Sequence, residues 1–319
     1  MWEITLSIVL LIIGMFLLIK GADWFVEGAA AIARSFHIPS LVIGLTLVSV
    51  GTSMPEFSVS LTSSLQGLND MSFGNVIGSN IFNTFVVIGV SACLTPVVVS
   101  KDMQKYDLPI LVGIYTILAI FAFVISPNVI NLVESIIIFS LTIFYTVFLI
   151  LRSKKQPQVE EEETKKRKWW INVILVVVGL AGIILGGNLV VNNASAIAMK
   201  LGMSELLVGL TIVAVGTSLP ELVTSIVAAK KGENDIAIGN AIGSCIFNIV
   251  LILGFCSMFS PATVEFSSLV DVIVMIASAV IIFLFSLKSK KITLWQGITM
   301  VVIYGGYLTY IVLRNFNVL

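Results

Sequence analysis

Long apolar runs alternate with short polar stretches along the whole chain. Ten of these runs reach about 20 residues, the length that an α-helix needs to cross the hydrocarbon core of a membrane. Their approximate cores are residues 4–30, 40–66, 71–95, 107–126, 130–151, 169–198, 205–229, 235–259, 268–287 and 293–313. The pattern predicts an all-α polytopic membrane protein with ten transmembrane helices.

Two polar motifs lie inside these runs, and each occurs twice at a spacing of 165 residues. The pairs are Gly51–Glu56 (GTSMPE) with Gly216–Glu221 (GTSLPE), and Gly74–Asn83 (GNVIGSNIFN) with Gly239–Asn248 (GNAIGSCIFN). Around them, residues 41–96 align without gaps on 206–261 and are identical at 25 of 56 positions. Repetition of this length predicts two halves of similar structure.

Five helices in each half give the two halves opposite orientations, because an odd number of crossings brings the chain to the other side of the membrane. The expected architecture is two inverted five-helix repeats, residues 1–152 and 169–319, joined by a polar cytoplasmic linker at 153–168. Inverted repeats are a common plan of secondary transporters, which bind their substrate near the membrane midplane.

The GTSxPE motifs also predict that the second and seventh helices are broken. Pro55 and Pro220 cannot donate a backbone hydrogen bond. Gly51 and Gly216, four residues earlier, tolerate unusual backbone angles. Unwound backbone at membrane depth is tolerated where it lines a cavity, so the freed carbonyl groups are expected to face one. A kink that serves only helix packing is the alternative.

The distribution of positive charge predicts the orientation in the membrane. Fifteen of the 18 lysine and arginine residues fall on one side of the ten expected helices. Positively charged loops stay in the cytoplasm, so both termini are expected to be extracytoplasmic, in a plasma membrane. The lipid bilayer is the expected partner. The formal net charge of zero argues against nucleic acid, and no obligatory protein partner is evident.

A glutamate lies in each GTSxPE motif, in the middle of an apolar run. A carboxylate at this depth is costly and usually functional. Glu56 and Glu221, brought together by the repeat, would repel each other unless a cation or protons lay between them. Two carboxylates also match one divalent cation in charge. The motifs therefore predict a symmetric ion site, with carboxylates held only by helix–helix hydrogen bonds as the alternative.

Neutral oxygen atoms accompany the glutamates in both motifs. They come from the side chains of Ser53, Ser218, Ser79, Ser244, Asn83 and Asn248, and from the backbone of Ser49–Thr52 and Ala214–Thr217. Such an all-oxygen set suits Ca²⁺ and also Na⁺, and it does not suit copper or zinc. Small hydroxyl residues also pack membrane helices together, so packing is the alternative role of each serine.

Charged residues of the first long helix are not repeated. Lys20, Asp23 and Glu27 correspond to Leu185, Asn188 and Asn192. Because these counterparts cannot carry protons, the sequence argues against a duplicated proton relay. We expect the three charged residues to line a helix end, to snorkel, or to pair with each other.

Both motifs closely resemble the alpha repeats of the cation/calcium exchanger superfamily, and specifically those of its prokaryotic sodium/calcium exchangers. The resemblance covers the whole ten-helix layout and both copies of each motif. It implies a compact helix bundle with four cation sites clustered at its centre. It also implies that the two long helices, the first and the sixth, slide to expose these sites alternately.

The resemblance implies a role for each motif residue. Glu56 and Glu221 would ligate Ca²⁺ and share Na⁺, and Thr52 and Thr217 would contribute backbone oxygen atoms to Ca²⁺. Serine hydroxyl groups would complete the Na⁺ sites, and asparagine side chains would face the middle site; these residues are Ser53, Ser79, Ser218, Ser244, Asn83 and Asn248. Some relatives carry aspartate at the position of Asn248, so the neutral asparagine pair favours potassium independence.

Residues and resemblance together indicate a secondary antiporter that exchanges Ca²⁺ for Na⁺, with no enzymatic activity and no cofactor. Exchange of three Na⁺ for one Ca²⁺, as the family implies, would move one net charge per cycle. An H⁺-coupled Ca²⁺ antiporter is the first alternative, although that branch usually carries a GNxxE pattern where this chain has GTSxPE. A passive cation channel is the second.

Overall fold

A computed structural model describes residues 2–154, 168–203, 212, 214–266 and 268–315 of the chain. Most of the expected linker and the first part of the expected seventh helix lie outside these residues. The described part is almost entirely helical, as the apolar runs predict.

Helices follow one another in the order of the apolar runs. They are α1 (Trp2–Ser35), α2 (Ser40–Thr52), α3 (Met54–Leu65), α4 (Asn69–Leu94), α5 (Met103–Ile125), α6 (Leu132–Ser153), α7 (Trp169–Lys200), α8 (Leu219–Lys230), α9 (Asn234–Phe259), α10 (Ser268–Ser289) and α11 (Leu294–Asn315). A single helical turn, Ala214–Gly216, precedes α8. Four two-residue strands connect helices: β1 (Val97–Val98), β2 (Val129–Ile130), β3 (Ala262–Thr263) and β4 (Lys291–Ile292).

Nine of the expected membrane crossings are found among the described residues. Eight helices are long and apolar enough to cross a membrane alone, and α2 with α3 forms one further span that is bent by 49°. This bend confirms the predicted break in the second span. The seventh run, 205–229, is described only in its second part, so the count of ten crossings is not tested.

Helices α1 and α7, which are equivalent in the repeat, pack against each other in opposite directions. A Cβ atom built on Gly14 would lie 3.0 Å from the carbonyl oxygen of Gly186, and one built on Gly28 would lie 2.8 Å from that of Asn172. Early residues of α1 thus face late residues of α7. Two equivalent helices that run antiparallel are what an inverted repeat requires.

The short strands join the two halves of the chain. Strand β1 pairs antiparallel with β4, and β2 pairs antiparallel with β3. Each pair takes one strand from each half. The sequence analysis did not predict these strands, because two residues are too few for an alternating pattern of apolar and polar positions.

A buried ion pair links the ends of α5 and α6. The guanidinium Nη1 of Arg152 lies 2.8 Å from Asp107 Oδ2, and Tyr145 donates to Asp107 Oδ1 at 3.2 Å. The second half has the same arrangement in Asp271, Arg314 and Tyr307. The repeat therefore extends beyond the segment that the sequence alignment covers, into the last two helices of each half.

Candidate functional site

Each motif glutamate is fully buried and bonded to a serine of the other repeat. Ser218 Oγ donates to Glu56 Oε1 at 2.8 Å, and Ser53 Oγ donates to Glu221 Oε1 at 2.7 Å. The two GTSxPE motifs therefore meet face to face, and each carboxylate belongs to a site made by both halves.

The break in each motif places its glutamate at the start of a helix. Ser53 precedes α3 with a backbone ψ of 8°, and Ser218 precedes α8 with a ψ of 6°. The proline follows within the first helical turn, where its missing N–H group costs no intrahelical bond. Glu56 and Glu221 are thus in the first turns of α3 and α8, where the helix dipole favours a negative charge.

Serines from α4 and α9 contact the same carboxylate oxygen atoms. Ser79 Oγ is 3.5 Å from Glu56 Oε1, and Ser244 Oγ is 3.5 Å from Glu221 Oε1. Ser244 Oγ also lies 3.3 Å from the carbonyl oxygen of Ser49. The four predicted serines, one predicted backbone oxygen and both glutamates are therefore brought together.

Several buried polar atoms of the two motifs have no hydrogen-bond partner among the residues that the structure describes. They are Oε2 of Glu56 and of Glu221, Oγ1 of Thr217, Oδ1 of Asn248, and both Oδ1 and Nδ2 of Asn83. Unpartnered buried polar groups are rare in native proteins and call for an explanation. All but the amide nitrogen are hard oxygen atoms, so the set fits Ca²⁺ or Na⁺ as its missing partner.

Some of the predicted residues also make hydrogen bonds within the protein. Thr52 Oγ1 donates to Asn240 Oδ1 at 2.9 Å, so its hydroxyl group is already engaged. The carbonyl oxygen of Ser49 accepts from the backbone N–H of Ser53 at 3.0 Å. Ala214 belongs to the helical turn before α8, and nothing is described of its side chain.

Two asparagines that the sequence analysis left out donate hydrogen bonds to the backbone of the two glutamates. Asn75 Nδ2 lies 3.3 Å from the carbonyl oxygen of Glu56, and Asn240 Nδ2 lies 3.1 Å from that of Glu221. Each amide also donates to a serine of the glutamate's own helix; these serines are Ser60 and Ser225. The signal for them was present, since both asparagines belong to the repeated GNxIGS motif.

A third asparagine, Asn80, has no polar counterpart in the other repeat. Its Oδ1 accepts from Asn248 Nδ2 at 3.1 Å, which leaves Asn248 Oδ1 without a partner in the site. The equivalent position in the second half is Cys245, and Asn83 has no corresponding bond to any described residue. Asn248 is therefore held in one orientation, and Asn83 is not.

Replacement of Asn80 with cysteine, the residue of the other repeat, is expected to weaken apparent Ca²⁺ affinity about two- to tenfold, the effect of losing one hydrogen bond. The maximal rate of Ca²⁺ transport should change less than the apparent Ca²⁺ affinity. In an Asn248→Ala background the same replacement should have no further effect, as a double-mutant cycle of Ca²⁺ affinities would show. An equal loss in both backgrounds would mean that Asn80 acts independently of Asn248.

A cleft of about 310 Å³ borders the two GTSxPE motifs. It lies between α3, α7 and the turn before α8, and Ser58, Asn188, Asn192 and Thr217 are among its lining residues. Asn188 and Asn192 are on the later part of α7, which packs against the beginning of α1. The cleft therefore opens toward the end of the bundle at which α1 begins.

Comparisons with known proteins agree with this geometry. The sequence profile of the sodium/calcium exchanger protein family matches residues 6–151 and 171–313. Sodium/calcium exchanger MaX1 of Methanosarcina acetivorans is 33% identical over 344 residues, covering 96% of this chain and 98% of that protein. Inner membrane protein YrbG of Escherichia coli is 35% identical over 269 residues, covering 82% of each chain.

A solved structure of the sodium–calcium exchanger NCX_Mj, soaked with zero Na⁺ and Ca²⁺, is also similar. It superposes on this chain with a TM-score of 0.85 at 32% identity, covering 97% of this chain and 99% of the other. The similarity therefore spans both halves and the helices that surround the two motifs.

Proposed function

Since the chain belongs to the sodium/calcium exchanger protein family, we propose that it exchanges Ca²⁺ for Na⁺ across the membrane. The observation that carries the proposal is the pair of buried carboxylates, Glu56 and Glu221, which meet across the two repeats. Within the described residues, each keeps one oxygen atom without a partner. A cation is the ligand that such a pair favours, because two buried carboxylates repel each other unless a cation or protons lie between them.

Competition for one set of oxygen atoms would couple the two ions. With one Ca²⁺ bound, Glu56 and Glu221 would be neutralised by a single divalent ion. With Na⁺ bound, the same carboxylates would be shared by several monovalent ions. The hydroxyl groups, asparagine side chains and backbone oxygen atoms of both motifs would complete the sites; these residues are Ser49, Thr52, Ser53, Ser79, Asn83, Ala214, Thr217, Ser218, Ser244 and Asn248.

Alternating access would operate by movement of α1 and α7 past the central site. The cleft beside α7 is open, whereas the corresponding region beside α1 is packed, with Ala22 and Val26 buried against α8 and α9. Two equivalent regions in different states are what an exchanger needs to load on one side at a time. We assign this structure to the state that faces the beginning of α1.

Loop charge supports the placement of this exchanger in a plasma membrane with both termini outside. The open cleft would then face the extracytoplasmic side, and the inward Na⁺ gradient would drive Ca²⁺ out of the cell. The functional units would be the repeats 1–152 and 169–319, joined by the cytoplasmic linker 153–168.

The test is radioactive Ca²⁺ uptake into proteoliposomes loaded with Na⁺, compared with vesicles loaded with K⁺ or choline at clamped pH. We expect uptake with internal Na⁺ and background uptake with the other two ions. Uptake that followed an imposed pH gradient and ignored Na⁺ would instead select H⁺-coupled exchange. Rapid flux without any counter-ion would identify a channel.

A further inference from the structure

Ion pairs tie α1 to the end of α8 on the side opposite the open cleft. Lys231, the residue after α8, donates from Nζ to the backbone oxygen of Asp23 at 2.8 Å, and Nζ lies 2.7 Å from Asp23 Oδ1. The same ammonium group lies 3.9 Å from Glu27 Oε2, one turn further along α1. The two carboxylates of α1 are thus paired with Lys231.

A second ion pair joins the same two parts of the chain. Arg34 Nη1, near the end of α1, lies 2.8 Å from Glu233 Oε1 in the turn between α8 and α9. The two bridges are spaced along the late part of α1, so both must separate before this part of α1 moves away from α8.

The corresponding positions in the other repeat carry no charge. Left-handed backbone at His37 and Gly202, and at Gly67 and Gly232, recurs at the repeat spacing and confirms the register through these segments. The counterparts of Asp23, Glu27, Arg34, Lys231 and Glu233 are Asn188, Asn192, Met199, Gln66 and Leu68. These particular ion pairs therefore cannot form at the equivalent positions of the other repeat.

The charge difference coincides with the difference in access. Asn188 and Asn192 line the open cleft. Asp23 and Glu27 occupy the equivalent places beside α8, where Val26 is fully buried in an apolar cluster. The region beside the ion pairs is closed, and the region whose equivalent positions carry no charge is open.

We propose that the pairing of Lys231 with Asp23 and Glu27, together with Arg34 and Glu233, is a latch that holds the second entrance closed. An inverted repeat with equivalent contacts at both ends would favour neither orientation. The latch stabilises one of them, so it sets the resting state of the exchanger. This inference rests on the proposed alternating access, and when the latch opens, Asp23 and Glu27 line the second entrance.

Exchange of Lys231 for glutamine, the residue of the other repeat, tests the latch. Val223 corresponds to Ser58 of the open cleft, so a Val223→Cys reporter becomes accessible when the second entrance opens. Cys93 is changed to serine so that its thiol does not react. Labelling of the Val223→Cys reporter by a membrane-impermeant maleimide is then measured in vesicles of both orientations. We expect Lys231→Gln to accelerate labelling from the latched side about two- to fivefold, the weight of a partly exposed ion pair.

Lys230→Gln is the matched control, because it removes the same charge from the neighbouring residue and should leave labelling unchanged. Asp23→Asn should reproduce the effect from the other partner, and Asp23→Lys combined with Lys231→Asp should restore slow labelling. Unchanged labelling in Lys231→Gln, or an equal increase in Lys230→Gln, would overturn the latch. Cysteine labelling does not require exchange of Ca²⁺ for Na⁺, so it tests the latch separately. Failure of the proposed function would instead be seen as Na⁺-independent Ca²⁺ uptake by the unaltered protein.

Discussion

Replacement of Glu56 or Glu221 with glutamine is expected to reduce Na⁺-dependent Ca²⁺ uptake to the background of empty vesicles. Glutamine keeps the size of the side chain and one carbonyl oxygen, but it removes half of the negative charge that faces a divalent ion. At a separation of 4 Å and an effective dielectric constant of about 20, a unit charge attracts a divalent ion by about 8 kcal/mol. Loss of half of this attraction would already lower Ca²⁺ affinity by close to a thousandfold.

The two variants should fail equally, because each carboxylate has equivalent serine partners, one from each repeat. Equilibrium Ca²⁺ binding to purified protein separates loss of binding from loss of movement. Asp70→Asn is a matched control, since Asp70 lies at the exposed start of α4 and outside the central site. Near-normal flux in Glu56→Gln or in Glu221→Gln would contradict the assignment of the site.

The sequence was sufficient to predict that both glutamates and the four motif serines meet at the centre. Repetition at a fixed spacing marks Glu56 and Glu221 as equivalent, and an intramembrane carboxylate is too costly to be incidental. The break in the second span was predicted from Pro55 and Gly51 together, because proline cannot donate a backbone hydrogen bond and glycine tolerates unusual backbone angles. These features depend on the chemistry of residues that are close together along the chain, and the amino-acid sequence shows that chemistry directly.

Contacts between the repeats could not be predicted in the same way. That Ser218 bonds Glu56, and Ser53 bonds Glu221, depends on how the halves dock, and spacing along the chain does not contain that information. Asn80 escaped notice for a different reason, because a search for duplicated residues passes over a position whose counterpart is Cys245. The asymmetry that holds Asn248 is visible only in three dimensions.

Replacement of Gly186 with alanine is expected to lower Ca²⁺ flux about 5- to 150-fold. Overpacking costs about 1–3 kcal/mol, and the range follows if this energy is added to the barrier for helix movement. A Cβ atom there would lie 2.5 Å from the backbone nitrogen of Leu18 and 2.7 Å from the oxygen of Gly14. Backbone atoms cannot turn aside as a side chain can. The two long helices, α1 and α7, must therefore move apart. These are the same helices that would slide past the site.

A graded series makes this prediction sharp. Gly182→Ala should have a smaller effect, because its Cβ would lie 3.1 Å from Gly21 Cα. Gly113→Ala in α5 meets nothing within 4 Å and should leave flux unchanged while favouring the helix by about 0.5–1 kcal/mol. Flux in proteoliposomes is measured beside the melting temperature of each variant. If Gly186→Ala transported Ca²⁺ as fast as Gly113→Ala at equal stability, close contact between α1 and α7 would not limit their movement.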